Sequence, residues 1–157
     1  MKKLVLLMFL LTGSANVSVS AAEPIELFWE DMIPKNYIAP EAQVNHDGSM
    51  VQQSIDAPVV QSLNGKLVKI PGFVVPLEGD NELTTEFLLV PYFGACIHVP
   101  PPPPNQIVYV KFSKGVPISN LYDAVWVTGT LSTASWQGDL ATVGYSLTGI
   151  SLSQYDG

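Results

Sequence analysis

Arginine is missing from this chain. All seven basic residues are lysine, set against fourteen acidic ones, for a formal net charge of −7. Without the guanidinium fork that reads phosphates and base edges, nucleic acid is not an expected partner. The acidic balance also repels anionic surfaces. Cysteine occurs once, at Cys96, which excludes an internal disulfide. Charged residues are scarce at 13%, while 47% are hydrophobic, so a disordered chain is excluded. Beyond the N-terminus no apolar run approaches the ~18 residues that mark a membrane-spanning helix. At 157 residues the chain has room for one domain.

The N-terminus reads as an export signal. Lys2 and Lys3 precede an apolar run from Leu4 to Leu11, and small residues follow as far as Ser20-Ala21-Ala22. The run is too short to cross a bilayer core of about 30 Å, so residues 1–22 are expected to be a cleaved secretory signal peptide. Cleavage removes two lysines and no acid, leaving five bases against fourteen acids. The expected location is the periplasm, with no membrane insertion after cleavage. In that oxidising compartment a lone cysteine is buried, paired with another molecule, or used as a ligand or nucleophile.

Residues 23–48 form an expected N-terminal arm. A short helix over Glu26 to Ile33 is expected to stop at Pro34, and His46 reads as a solvated loop residue. A weak helical pattern follows over 49–63, and Asn64-Gly65 marks a turn. From there the pattern is β. Strands are expected over Lys66–Leu77, Glu86–Pro91, Ile107–Phe112, Ala124–Leu131 and Thr142–Leu152. The first is broken by Pro71-Gly72, where a bend is expected. Residues 49–157 are therefore expected to be one all-β domain, a small five-stranded OB-like barrel, with a β-sandwich as the alternative.

The chemically distinctive segment is 91–106, PYFGACIHVPPPPPNQ. If it were extended, Cys96 and His98 would leave one face, their Cβ atoms roughly 6–7 Å apart. One Zn²⁺ is within reach of such a pair, and Glu78 and Glu86 are the candidate carboxylates to complete the set. Mixed sulfur, nitrogen and oxygen ligation suits Zn²⁺ better than Mg²⁺ or Ca²⁺. Two other readings stand beside it: Cys96 as a thiolate nucleophile lowered by His98, and both residues as ordinary packing. Pro100–Pro104 dictate a polyproline II rod, either a strand terminator or a docking surface with Tyr92 and Phe93.

Three stretches resemble an exported bacterial family known as domain of unknown function 3299. They are FWEDMIP (28–34), GKLVKIPGFVVPLE (65–78) and FLLVPYFGACIHVPPPPPNQIVYV (87–110). The resemblance implies that Cys96-Ile97-His98 is the family's working segment. It also implies a periplasmic metal-handling accessory, linked to an ABC-type importer of zinc or manganese. Two further roles remain open: a non-metal envelope interaction module docking a membrane transporter or other envelope protein through the Pro-rich loop, and a thiol-dependent enzyme. The residues favour a binding protein over an enzyme.

Overall fold

The structure is a computed structural model that describes residues 22–38, 51–52, 54–80 and 82–156. The expected signal peptide, apart from Ala22, and His46 lie outside the described residues. Strand β1 is Ile25–Glu26. The body is built by β2 (Leu67–Gly79), β3 (Thr84–Val90), β4 (Val108–Val116) and β5 (Val125–Ser132). A hairpin of β6 (Trp136–Gln137) and β7 (Thr142–Val143) follows, and β8 (Tyr145–Gln154) is last.

Five strands close on themselves in the order β2-β3-β4-β8-β5-β2. Every pairing in the ring is antiparallel except β4 with β8, which is parallel, with Val108 opposite Tyr145. This is the closed, five-strand OB-type barrel expected from the alternation, and it removes free sheet edges.

β2 closes the ring by serving two neighbours. Leu67–Gly72 pair with β5, and Phe73–Gly79 pair with β3. Gly72 stands at the changeover because the strands crowd there. A Cβ on it would lie 2.7 Å from the Val90 carbonyl oxygen. A bulge interrupts the β5–β8 pairing: Gly129 opposes Gly149 while Thr128 opposes Ser151, so Ile150 is left over and points out, 63% exposed.

Alternation along the strands fills the barrel with Val68, Ile70, Val74, Phe87, Leu89, Val110, Val127, Leu131, Tyr145 and Leu147. The N-terminal arm joins this core. β1 pairs in parallel with Val68-Lys69, and Leu27 and Met32 are buried in the cluster. The helix expected over 26–33 is instead β1 followed by one 3-10 turn, Trp29–Met32. The helical pattern expected over 49–63 also fails among the described residues, which show only a 3-10 turn at Gln61–Leu63. Pairing with β2 and burial of Tyr145 replace helical bonding there: the Tyr145 hydroxyl donates to the Met32 carbonyl at 2.8 Å and accepts from the Val60 N–H at 2.7 Å.

A second core lies outside the barrel wall. Val75, Leu88 and Val90 point outward yet are buried, because residues 95–107 and the β6–β7 hairpin cover them. Trp136 of that hairpin stacks on Tyr109, with ring centroids 4.5 Å apart and planes 5° from parallel. In OB barrels the outer face of the second and third barrel strands, here β3 and β4, is the usual ligand face. Here the chain's own loops occupy it.

Candidate interaction surface

Pro91 ends β3, and the chain then winds into a tight turn rather than a strand. Gly94 permits it with φ +84°, and Cys96 follows with φ +65°. The Gly94 carbonyl accepts from three backbone N–H groups, those of Ile97 at 3.2 Å, His98 at 2.8 Å and Val99 at 3.3 Å. These three bonds tie the turn to a single carbonyl.

The extended geometry expected for Cys96 and His98 is therefore corrected. Cys96 turns inward and is buried in the outer core with Val90, Ala95, Ile107 and Val143. His98 is exposed and lies against Gly94. The premise of two ligands leaving one strand face does not hold, because a turn does not keep the two-residue alternation of a strand. Burial pushes the Cys96 thiol up to about 11, which keeps it protonated at neutral pH.

The two candidate carboxylates sit elsewhere. Glu78 and Glu86 face each other across the β2–β3 pair, near the hairpin end. Val90 lies four positions beyond Glu86 along β3, about 13 Å of strand before the turn begins. Glu86 is already engaged: Lys111 donates to one oxygen and the Tyr109 hydroxyl to the other. The Lys111 hydrogen bond, then that from Tyr109, holds the Glu86 carboxyl below its usual range. Tyr109 is pushed up to about 12, chiefly by burial and then by Glu86. Among the described residues no three His, Cys, Asp or Glu side chains converge as a metal cluster.

The proline rod is mostly interior. Pro101, Pro102 and Pro104 are buried. The Gln52 amide donates to the Pro102 carbonyl at 2.8 Å and to the Thr142 carbonyl at 2.7 Å, and its oxygen accepts from the Thr142 N–H. The Gly144 N–H donates to the Pro104 carbonyl at 2.7 Å. The rod is thus a wedge between the 51–60 segment and the β6–β7 hairpin, and a wedge that holds the preceding turn in place.

What the turn exposes is apolar. Tyr92 is 44% exposed, Phe93 48%, Ile97 50% and Val99 41%. Phe93 is braced edge-on by Phe73 at 6.1 Å and meets Tyr122 of the β4–β5 connection at 5.1 Å. Tyr122 and its neighbour Leu121 are themselves exposed. No Lys, Asp or Glu occurs anywhere in 91–107. Tyr92 and Phe93 were candidates from the sequence. Ile97, Val99, Leu121 and Tyr122 were not; the signal for the first two was the unbroken lack of charge, and none existed for Leu121 and Tyr122, which reach the patch only through folding.

The fold and surface define a small OB-type barrel whose customary ligand face is covered by its own loops and whose 91–99 turn carries four exposed apolar side chains. The model of the family described as "Protein of unknown function (DUF3299)" matches residues 29–154, and the chain belongs to that family. A solved structure of a DUF3299 family protein from Pseudomonas aeruginosa PAO1 is 45% identical, with a TM-score of 0.77, and the match covers 87% of this chain and 99% of that one. No curated protein matches.

Proposed function

We propose that this protein is an exported, non-catalytic interaction module of the bacterial envelope, with the 91–99 turn as its contact surface. The observation that carries this reading is the uncharged turn itself, which holds Tyr92, Phe93, Ile97 and Val99 half exposed on a backbone tied to the Gly94 carbonyl. Exposed aromatic anchors on a rigid frame lose little side-chain freedom on binding, and aromatics are enriched where binding energy concentrates. A protonated, buried Cys96 gives no support to a thiol enzyme.

A photo-crosslinking residue placed at Phe93 in the exporting cell tests the reading. A discrete adduct with an envelope protein such as a membrane transporter is expected, lost when Ile97→Asp is added and absent when the crosslinker is at exposed Ile150. Equal adducts from both positions, or none from Phe93, would overturn it. Zinc calorimetry separates the metal-handling role. The interaction reading expects no binding that depends on Cys96; one Zn²⁺ per chain, lost in both Cys96→Ser and His98→Ala, would establish metal handling instead.

A further inference from the structure

The cover on the outer wall is fastened differently from the wall itself. We infer that 91–107 and the β6–β7 hairpin form one hinged cover, clasped by Gln52, that lifts off the closed barrel as a unit and so gates the apolar outer face beneath it. This holds whatever the exposed turn binds.

Three observations lead there. The first is how the cover is held. Each of the five barrel strands is laddered to two neighbours. β6 and β7 pair only with each other, and within 91–107 the one bridge joins Ala95 to Val99. Among the described residues no hydrogen bond joins 91–107 or 136–143 to a barrel strand; their bonds run within the cover, to Gln52, to Pro58 and to Trp29. Apolar contact does the holding: Ala95, Cys96, Ala141 and Val143 against Val75, Leu88 and Val90, Trp136 on Tyr109, and Phe93 on Phe73. The second observation is that the two segments are fastened to each other. The Gly144 N–H donates to the Pro104 carbonyl at 2.7 Å. Gln52 grips both: its amide donates to the Pro102 carbonyl of the rod, and it meets both backbone groups of Thr142 in the hairpin. The third is a shared hinge. Ile107 leads into Val108 and Gly144 into Tyr145, and these two residues lie opposite each other in the parallel β4–β8 pair. Both segments thus re-enter the barrel side by side. Lifting them breaks the Gln52 bonds and the outer core but leaves every barrel ladder whole, so opening costs less than unfolding. What it bares is Val75, Leu88 and Val90 on the wall and Cys96 on the cover.

Thiol labelling of the mature chain without denaturant is the test. Cys96 reports on the turn. In a Cys96→Ser background, Ala141→Cys reports on the hairpin and Val110→Cys on the barrel interior. Relative to the urea-unfolded chain, the turn and hairpin reporters are expected to be slowed by the same factor, and the barrel reporter by about tenfold more or beyond. Gln52→Glu keeps the shape of the clasp but sets a carboxylate against the Pro102 and Thr142 carbonyls. It is expected to speed the turn and hairpin reporters equally, by about tenfold or more. Ile70→Val, inside the barrel, weakens the closed and opened forms alike. It is expected to speed the barrel reporter severalfold and to leave Cys96 unchanged. Equal speeding of Cys96 and the barrel reporter by Ile70→Val would mean that the thiol is bared only by global unfolding, which overturns the proposal without any change to the cover itself. Unequal slowing of Cys96 and Ala141→Cys would mean that the two segments lift separately and overturns it too. Cover reporters indifferent to Gln52→Glu would remove the clasp and overturn the device as stated.

Discussion

Cys96 holds a backbone angle that side chains other than glycine seldom take, φ +65°, and is buried at the same time. Left-handed backbone is worst for β-branched residues. Cys96→Val is therefore expected to destabilise the protein by about 1–2 kcal/mol more than Cys96→Ala, read by urea denaturation. The raised thiol has a chemical consequence. Native protein at pH 8 is expected to react with a thiol reagent far more slowly than the urea-unfolded chain, whose thiol ionises near 8.5. A fast native reaction would show that Cys96 is accessible. The linkage has a sign: since the folded value lies above the unfolded one, this group's stabilisation is intact below about pH 8.5 and declines as pH climbs towards 11.

Glu86 works in the opposite direction. Lys111 and Tyr109 lower its folded value, so its contribution is present above the unfolded carboxylate range near 4.3 and is lost as pH falls through the folded value. Melting temperature against pH should lose part of its acid-side slope in Glu86→Gln. An unchanged slope would mean that the Lys111 and Tyr109 bonds do not persist in solution.

At the scale of elements, one hydroxyl ties the arm, the 51–60 region and the barrel together. Tyr145→Phe removes the donor to Met32 and the acceptor for Val60 while keeping the ring. A buried group left without its partner costs about 1–3 kcal/mol, so a loss of that order is expected in urea denaturation, with the barrel's β spectrum retained. A change below about 0.5 kcal/mol would indicate that the β1 pairing and the burial of Leu27 and Met32 hold the arm without this hydroxyl. Strand β2 offers a second check. Gly72→Val drives a side chain into the Val90 carbonyl at the place where β2 changes partners. A destabilisation of about 2–4 kcal/mol is expected, since the obstacle is backbone and has no rotamer to escape into.

At the scale of the whole molecule, the barrel is wrapped by its own connections. Residues 95–107 and the β6–β7 hairpin lie on the outer wall, and the arm enters the inner core. Trp136→Ala is expected to lower stability by about 3–5 kcal/mol in the manner of a large aromatic truncation, less whatever its partial exposure returns. It is also expected to raise the reactivity of Cys96, because both belong to the outer core. Loss of stability without any gain in thiol reactivity would show that the hairpin and the turn come off independently.

Local pattern determined the strands of the barrel. A strand announces itself by alternation and by its flanking turns, both readable in order along the chain. Hence five β segments and the special place of Pro71-Gly72, where β2 changes partners, were legible. The run Phe87-Leu88-Leu89-Val90 even carried the sign that β3 is covered on both faces, since a strand with one wet face alternates. Composition likewise made the chain acidic and free of arginine. The rest depended on contacts between distant residues. Glu26–Ile33 has helical spacing, yet pairing with β2 and burial of Met32 decided its conformation. Cys96 and His98 are two apart in sequence, which fixes a shared face only for an extended backbone; the bonds to the Gly94 carbonyl turned the segment, which leaves Cys96 buried and His98 exposed. Tyr122 was brought to Phe93 by the return of the β4–β5 connection, across a separation that no local spacing encodes. Sequence spacing thus decided which segments became strands, while burial and long-range hydrogen bonds decided what those strands carried to the surface.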